Sequence, residues 1–418
     1  MKDELLTVLT VAEARERLAT HLPSELRKGE KLSLLQCLGR RLAVAVIARE
    51  NVPGFDRSTV DGYAVRAQDT FGASEGLPAF FTVIGEIPVG FAPDKELMPG
   101  EAMQIATGAM LPPGADAAVM VEHTEEAGEG AIEVLKPVGP GENVLRADED
   151  IKAGDEVFPA NHLLRSQDIG YLAALGEIEL EVIVPLRVGI VSTGDELVDP
   201  LTKPLPGQVR DINSYALFAR TLELGGEPVI YGVVRDDPQL LREKLQRACE
   251  ECDLVVVSGG SSVGSRDHTA DIIASLGQPG IVFHGMAVRP GKPTLGGVVE
   301  KKPVFGLPGH PAAALVTFEL LVSPLLKFGS YQKITHGAPP IKGILSRSIG
   351  SAPGREEYIF VKLQQRDGVI AAEPILGKSG LLTPLVEADG IMRIPLESEG
   401  VAAGSEVDVY LFGTDYVL

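Results

Sequence analysis

The sequence contains no Trp, only 8 Tyr and 13 Phe, and three cysteines in 418 residues. So few aromatics argue against a stacking platform for single-stranded nucleic acid. An odd, small number of cysteines in so long a chain does not make a disulfide framework. Cys249 and Cys252 have the C-x-x-C spacing, but two glutamates lie between them and the pair closes a helical segment. They read as reduced structural cysteines rather than a redox motif. With no second pair, a structural zinc site is not expected.

Positive charge is also short. The 38 Lys and Arg face 58 Asp and Glu, for a net charge of −20. A field of that sign repels phosphate backbones and anionic lipid, so neither nucleic acid nor a membrane is an expected partner. An anionic substrate stays open, provided that local cations, backbone amides or a metal receive it. Met1-Lys2-Asp3-Glu4 lacks the basic start and apolar core of a signal peptide. The most apolar stretch, 312–326, is interrupted by Glu319 and Pro324 and is short for a membrane span. The expected location is the cytoplasm.

What is present suffices for several cores. Apolar residues make up 44% and charged residues 23% of the chain, an ordinary globular balance. At about 150 residues per domain, this length corresponds to roughly three domains. Residues 10–48 read as helical from the spacing of Val11, Ala12, Ala14, Leu18 and Ala19. From 51 to 149, short apolar runs between Gly and Pro predict a β-rich domain. Helix returns around Ser166 to Leu175, so the β domain reads as an insertion into an elongated helical linker domain made of 1–50 and 150–182.

From 183 to 330, strand-like runs at Arg187, Val229 and Leu254 alternate with helical stretches. That alternation predicts a doubly wound, mostly parallel α/β domain. Short strand-like runs after 331 predict a C-terminal β-barrel over 331–418. The expected class is therefore multidomain, α/β plus β.

In an open α/β sheet, ligands bind beyond the carboxyl ends of the strands. Three motifs fall there. Ser192-Thr193-Gly194-Asp195-Glu196 follows the first strand; its small residues admit an anion, and its carboxylates can hold a cation. The same residue types also favour a helix N-cap. Ser258-Gly259-Gly260-Ser261-Ser262-Val263-Gly264 follows the strand at 254, with Asp267 just beyond. Glycines that permit positive φ, serine donors and a helix start make a phosphate cradle. Asp267 fits beside it if Mg²⁺ lies between carboxylate and phosphate. The third motif is Arg289-Pro290-Gly291-Lys292-Pro293, followed by Gly306-Leu-Pro-Gly-His-Pro311. Its cations are anion ligands or solvated surface charges, and His310 is a cap or an acid–base group. Asp236 or Asp237 reaches the same edge, unless it caps the next helix. Together these loops suit a phosphorylated or nucleotide-linked substrate handled with a divalent metal.

These motifs, with Pro53-Gly-Phe-Asp-Arg-Ser-Thr-Val-Asp-Gly-Tyr-Ala-Val and Ala106-Thr-Gly-Ala, resemble in order those of the molybdopterin molybdenumtransferases. That family completes molybdenum cofactor synthesis and includes the C-terminal domain of gephyrin. The resemblance covers almost the whole chain and weakens after about 330, where Gly354-Arg-Glu-Glu-Tyr and Gly377-Lys-Ser-Gly are similar. It implies an elongated homodimer of four-domain subunits with a site shared between them. The implied reaction converts adenylylated molybdopterin and molybdate into molybdenum cofactor and AMP. On matching positions, Glu196, Asp236 and Asp267 are the implied Mg²⁺ and nucleotide residues, and 258–264 the phosphate cradle. Asp61, Thr107 and Asp150 are expected from the β domain, facing the same cleft from the partner subunit. Arg289, Lys292, Arg355 and Ser379 are the candidates for molybdate or the pterin phosphate.

Two other readings differ in class. A molybdopterin adenylyltransferase is the nearest enzymatic rival, though the long β insertion and the barrel speak against it. A gephyrin-like scaffold is the non-enzymatic one. Nothing in the sequence separates molybdate from tungstate.

Overall fold

A computed structural model of the chain describes residues 8–259, 268–334, 339–366, 368–377 and 380–412. The chain divides into two compact units, one made of 1–29 with 183–418 and the other of 30–182.

The first unit begins with helix α1 (Val11–Ala19), whose start is fixed by reciprocal hydrogen bonds between Thr10 and Glu13. The helix ends there, so the expected helical segment to residue 48 is corrected. Pro23 and Gly29 interrupt the pattern, and Gly29–Ser33 is extended with alternating burial. Leu34–Gln36 is a single 3₁₀ turn, and Val46–Ile47 is a short strand. The apolar residues of this segment fill a small core: Leu34, Leu42 and Val46 pack on Leu164, Leu172 and Val182.

The α/β part follows the expected alternation closely. In chain order it contains β1 (Arg187–Thr193), α2 (Asn213–Glu223), β2 (Glu227–Val234), α3 (Pro238–Glu251) and β3 (Leu254–Ser258). Then come α4 (Thr269–Leu276), β4 (Pro279–His284), β5 (Leu295–Val299), β6 (Lys302–Leu307), α5 (Pro311–Leu321) and α6 (Ser323–Phe328). The strand order is β2-β1-β3-β6-β5-β4. The first four run parallel, and β5 and β4 add antiparallel neighbours.

Helices cover both faces, which is why these strands are apolar throughout. Val188, Ile190, Leu254, Val256, Phe305 and Leu307 pack into one core with α2 and α5. Val191, Val255, Val257 and Val304 pack into the other with α3 and α4. Cys249 and Cys252 are free and buried at the end of α3. Burial pushes the Cys249 thiol up to about 11, which keeps it protonated and unreactive at neutral pH.

By length and composition, Pro311–Phe328 could cross a membrane, a longer run than its sequence interruptions suggested. It is 89% buried in the unit and forms its central core helices.

Beyond them, β7 (Ile341–Leu345), β8 (Glu356–Arg366), β9 (Val369–Pro374), β10 (Gly390–Ile394) and β11 (Glu406–Leu411) close a five-stranded barrel. The ring runs β8-β9-β7-β11-β10 and returns to β8. The short strand Val288–Arg289 also pairs with β8, in parallel, setting Arg289 beside Glu357.

The second unit holds the expected β-rich region. Its six-stranded sheet runs in the order Ala117–Met120, Gly62–Val65, Glu101–Ile105, Ala79–Ile87, Ala131–Val134 and Thr124–Glu126. Alternate residues such as Val65 and Ala64 feed separate apolar clusters. A helix at Ser166–Ala174 matches the sequence pattern.

Candidate active site

The carboxyl edge of the parallel strands gathers the first group of candidates. Ser192 is fully buried at the end of β1, and its hydroxyl oxygen lies 3.1 Å from Asp211 Oδ1 and 2.7 Å from Ser214 Oγ. It shapes the loop from inside the protein. Thr193 donates from Oγ1 to Asp236 Oδ1 at 3.1 Å, and the Asp236 N–H donates to Asp195 Oδ1 at 3.2 Å. Gly194 has φ +154°, and a Cβ there would meet Glu196 Oε2 at 2.7 Å, so a side chain at this turn would push the flexible carboxylate aside. Asp237 is the N-cap of α3 and accepts the N–H groups of Gln239 and Leu240. Of the two neighbouring aspartates, Asp236 is therefore the one facing the Thr193–Asp195 loop.

The second motif meets the first one directly. Ser258 ends β3, and its hydroxyl accepts a hydrogen bond from Asn213 Nδ2 at 2.7 Å. The same amide donates to the Gly309 carbonyl at 2.8 Å. Gly259 has φ +94°, and a Cβ there would lie 2.2 Å from the Thr193 carbonyl. The backbone of the 258 turn can approach the 193 turn only because that side chain is absent. Gly260, Ser261, Ser262, Gly264 and Asp267 lie outside the described residues.

The loop at 306–311 connects this edge to a cavity of roughly 1030 Å³ on the barrel side. Arg289, Lys292, Pro293, His310 and Arg355 line it, with Tyr358 and Leu381 among its apolar walls. The volume is at the upper end of the range for small-molecule sites. In a strongly acidic protein, three cations on one wall form a local positive field. The structure thus brings Arg289 and Lys292 together with Arg355, which lies 66 and 63 residues further along the chain. Ser379 lies outside the described residues, between Gly377, which lines the cavity, and Gly380, which approaches His310.

Glu357 was not singled out from the sequence. It is buried behind the cations and its Oε1 accepts from Arg289 at 3.1 Å and from Arg355 at 2.9 Å. Asn213 carries no sequence signal of its own, because its partners are distant in the chain, and Glu357, though inside Gly354-Arg-Glu-Glu-Tyr, is paired with Arg289 only by strand register.

In the second unit, the loops carrying Asp61, Thr107 and Asp150 interlock. Asp61 Oδ1 accepts from the Thr107 N–H at 2.7 Å and from its hydroxyl at 3.0 Å. The backbone bond and then the hydroxyl hold the Asp61 carboxyl below its ordinary pKa. Gly108 donates to the Ser58 carbonyl, Thr59 to the Asn143 carbonyl and Asp150 to the Val52 carbonyl. Asp150 and Asp61 are both exposed.

The carboxylates at this edge are oxygen donors of the kind a hard cation takes, without forming a metal-binding group among the described residues. Asp195, Glu196 and Asp236 present carboxylate oxygens at one edge, and no ion pair compensates them among the described residues. Oxygen-only donors are what Mg²⁺ takes. No cluster of three ligating side chains is complete among the described residues.

Comparison with known proteins identifies this arrangement. The MoeA N-terminal region (domain I and II) matches residues 9–176, and the MoeA C-terminal region (domain IV) matches 342–412. Between them, 189–327 match a model described as "Probable molybdopterin binding domain". This chain belongs to the MoeA family. A molybdopterin molybdenumtransferase of Nostoc is 37% identical over 387 residues, covering 90% of this chain and 87% of its own. The one of Haemophilus influenzae is 33% identical over 408 residues, covering 97% and 99%. The crystal structure of a molybdopterin biosynthesis moea protein from Pyrococcus horikosii superposes with a TM-score of 0.84 at 39% identity, covering 97% and 99%. The chain is thus a member of an enzyme family of molybdenum cofactor biosynthesis, with molybdopterin as the family's substrate.

Proposed function

We propose that the protein inserts molybdate into adenylylated molybdopterin with Mg²⁺-dependent release of AMP. The observation that carries this reading is the joined site. A carboxylate-rich strand edge suited to a nucleotide phosphate and metal connects, through 306–311, to a cavity walled by Arg289, Lys292 and Arg355.

In this reading Glu196, Asp236 and Asp267 would hold Mg²⁺, which when bound neutralises charge on the phosphoanhydride oxygens. The Ser258–Gly264 segment would offer its backbone N–H groups to phosphate, and Thr193 orients Asp236. At the other end, the three cations receive the tetrahedral molybdate dianion and hold it near the dithiolene sulfurs, an effect of positioning and electrostatics. Two Mo–S bonds replace one Mo–O bond and release water, while cleavage of the phosphoanhydride consumes water and frees AMP. Asp61, Thr107 and Asp150 would complete the site from the partner subunit of a homodimer. Two anionic reactants meet inside a protein of net charge −20, so the cationic wall is what makes the encounter favourable. Function in the cytoplasm, without nucleic acid or membrane, belongs to the same proposal.

The test is direct turnover. Purified protein is mixed with adenylylated molybdopterin, Mg²⁺ and molybdate, and AMP and metal-loaded cofactor are followed by chromatography. Molybdate-dependent AMP release supports the transferase, and a parallel run with tungstate reads metal choice. ATP consumption with metal-free molybdopterin would instead indicate an adenylyltransferase. Tight binding of the intermediate without AMP release would indicate a carrier or scaffold.

A further inference from the structure

We propose that Glu357 is a positioning residue for the oxyanion: it clamps Arg289 and Arg355 in one fixed arrangement on the cavity wall. The inference rests on the proposed function and deepens it at the cationic end of the site.

A carboxylate behind an anion pocket is at first sight misplaced, because its charge opposes the ligand's. Its geometry explains it. The parallel pairing of Val288–Arg289 with β8 puts Arg289 beside Glu357, while Arg355 lies two residues ahead of it in the same strand region. Glu357 Oε1 accepts from Arg289 Nη1 at 3.1 Å, from Arg355 Nη2 at 2.9 Å and from Arg355 Nε at 3.1 Å. The Glu357 side chain is 3% exposed, whereas those of Arg289 and Arg355 are 61% and 39% exposed. The anchor is therefore buried, and each guanidinium keeps donors that reach the open side. Arginine suits this use, since its planar fork can bond one partner behind and another in front.

The physical gain is preorganisation. Two free guanidiniums repel each other and lose rotamer freedom when an anion gathers them; tied to one buried carboxylate, they have already done so. The carboxylate leaves the wall positive, because Lys292 on the same wall forms no ion pair among the described residues and is exposed. Cations held apart by the two segments are also brought to a spacing set by backbone register rather than by the ligand.

The sign of the effect makes the idea testable. If Glu357 were only a nearby negative charge, neutralising it would strengthen molybdate binding. If it positions the arginines, neutralising it weakens binding. We expect Glu357→Gln, which keeps the shape and one acceptor oxygen, to raise KM for molybdate about threefold, and Glu357→Ala about tenfold. AMP release at saturating molybdate should stay within about twofold of the wild type, since chemistry at the phosphoanhydride is untouched. Calorimetric titration of each protein with molybdate alone should show the same weakening. An unchanged or lowered KM and dissociation constant in Glu357→Gln would overturn the proposal. Glu357→Gln is the deciding variant should Glu357→Ala not fold, as read by its circular dichroism and melting curve. Absence of AMP release in the wild type would defeat the proposed function separately; the titration with molybdate alone then still decides the role of Glu357.

Discussion

Asn213 and Ser258 lie 45 positions apart in the chain, yet the Asn213 amide donates to the Ser258 hydroxyl at 2.7 Å. Through its second bond, to the Gly309 carbonyl, the same side chain ties the end of β3 to the loop that borders the cationic cavity. One buried amide thus fixes the spacing between the two ends of the site. Removing it leaves the buried Ser258 hydroxyl without this donor and frees the Gly309 carbonyl to solvent, which costs about 1 kcal/mol. Asn213→Ala should lower the melting temperature by several degrees. Its kcat/KM for adenylylated molybdopterin should fall about tenfold, more than the stability loss alone would predict at 25 °C. Thermal unfolding and steady-state kinetics on one preparation check both.

Asp236 and Asp237 are adjacent and were indistinguishable in the sequence. The structure divides their work: Asp236 accepts from Thr193 at the strand edge, and Asp237 caps α3. Asp236→Asn should raise the Mg²⁺ concentration needed for half-maximal AMP release at least about tenfold, because a hard anionic donor is lost. Asp237→Asn keeps a good cap and should leave that concentration unchanged, while Asp237→Ala should cost about 1 kcal/mol of stability. A Mg²⁺ titration of both variants separates metal holding from capping.

Much of the α/β part was legible in advance, and the reason is physical. Strands buried on both faces, such as 254–258, read as unbroken apolar runs, and their helices carry clear starts at Pro238 and Pro311. The candidates at strand ends were legible for the same reason, since the strand limits say where the edge is. The N-terminal segment was not. The helical spacing of residues 11–19 suggests a helix that runs on, but Gly39 turns the chain with φ +74°, and the short pieces around Leu34, Leu42 and Val46 gain their burial from residues beyond 160. The roles of Glu357 and Asn213 were illegible: Glu357 sits in a motif that resembles the family's, but its pairing with Arg289 is set by strand register, and Asn213's partners are set by loop convergence, which no local pattern encodes.

Arg220 and Glu319 form a buried ion pair between α2 and α5, with Nε and Oε1 2.5 Å apart and a second contact at 3.2 Å. Glu319 is the residue that broke the apolar run in the sequence, and this pair is why it is tolerated in a core helix. Removing Glu319 leaves the buried Arg220 guanidinium with the exposed Glu223 carboxylate at 2.9 Å as its remaining ion-pair partner among the described residues, so Glu319→Ala should destabilise by about 3 kcal/mol. The double change Arg220→Met with Glu319→Leu should recover most of that loss, because a well-packed apolar pair of similar volume is often as stable as the ion pair. Chemical denaturation of the wild type, single variant and double variant provides the comparison. A double variant no more stable than Glu319→Ala would show that the site needs the charges themselves.

Asp168 governs an acid-sensitive point in the second unit. The Arg165 guanidinium, followed by the Arg165 N–H and the His162 ring, holds its carboxyl well below the usual carboxylate range. A carboxyl whose folded pKa is depressed contributes stability above its unfolded value, about 3.9, and loses it as pH falls toward the lower folded value. The wild type should therefore keep this contribution through neutral pH and begin to lose it below about pH 5. Asp168→Asn cannot ionise. It should be less stable at pH 7, and its melting temperature should change less steeply between pH 5 and the acid limit. Melting curves collected across that range test the slope directly, and parallel slopes for the two proteins would assign the acid sensitivity to other carboxylates.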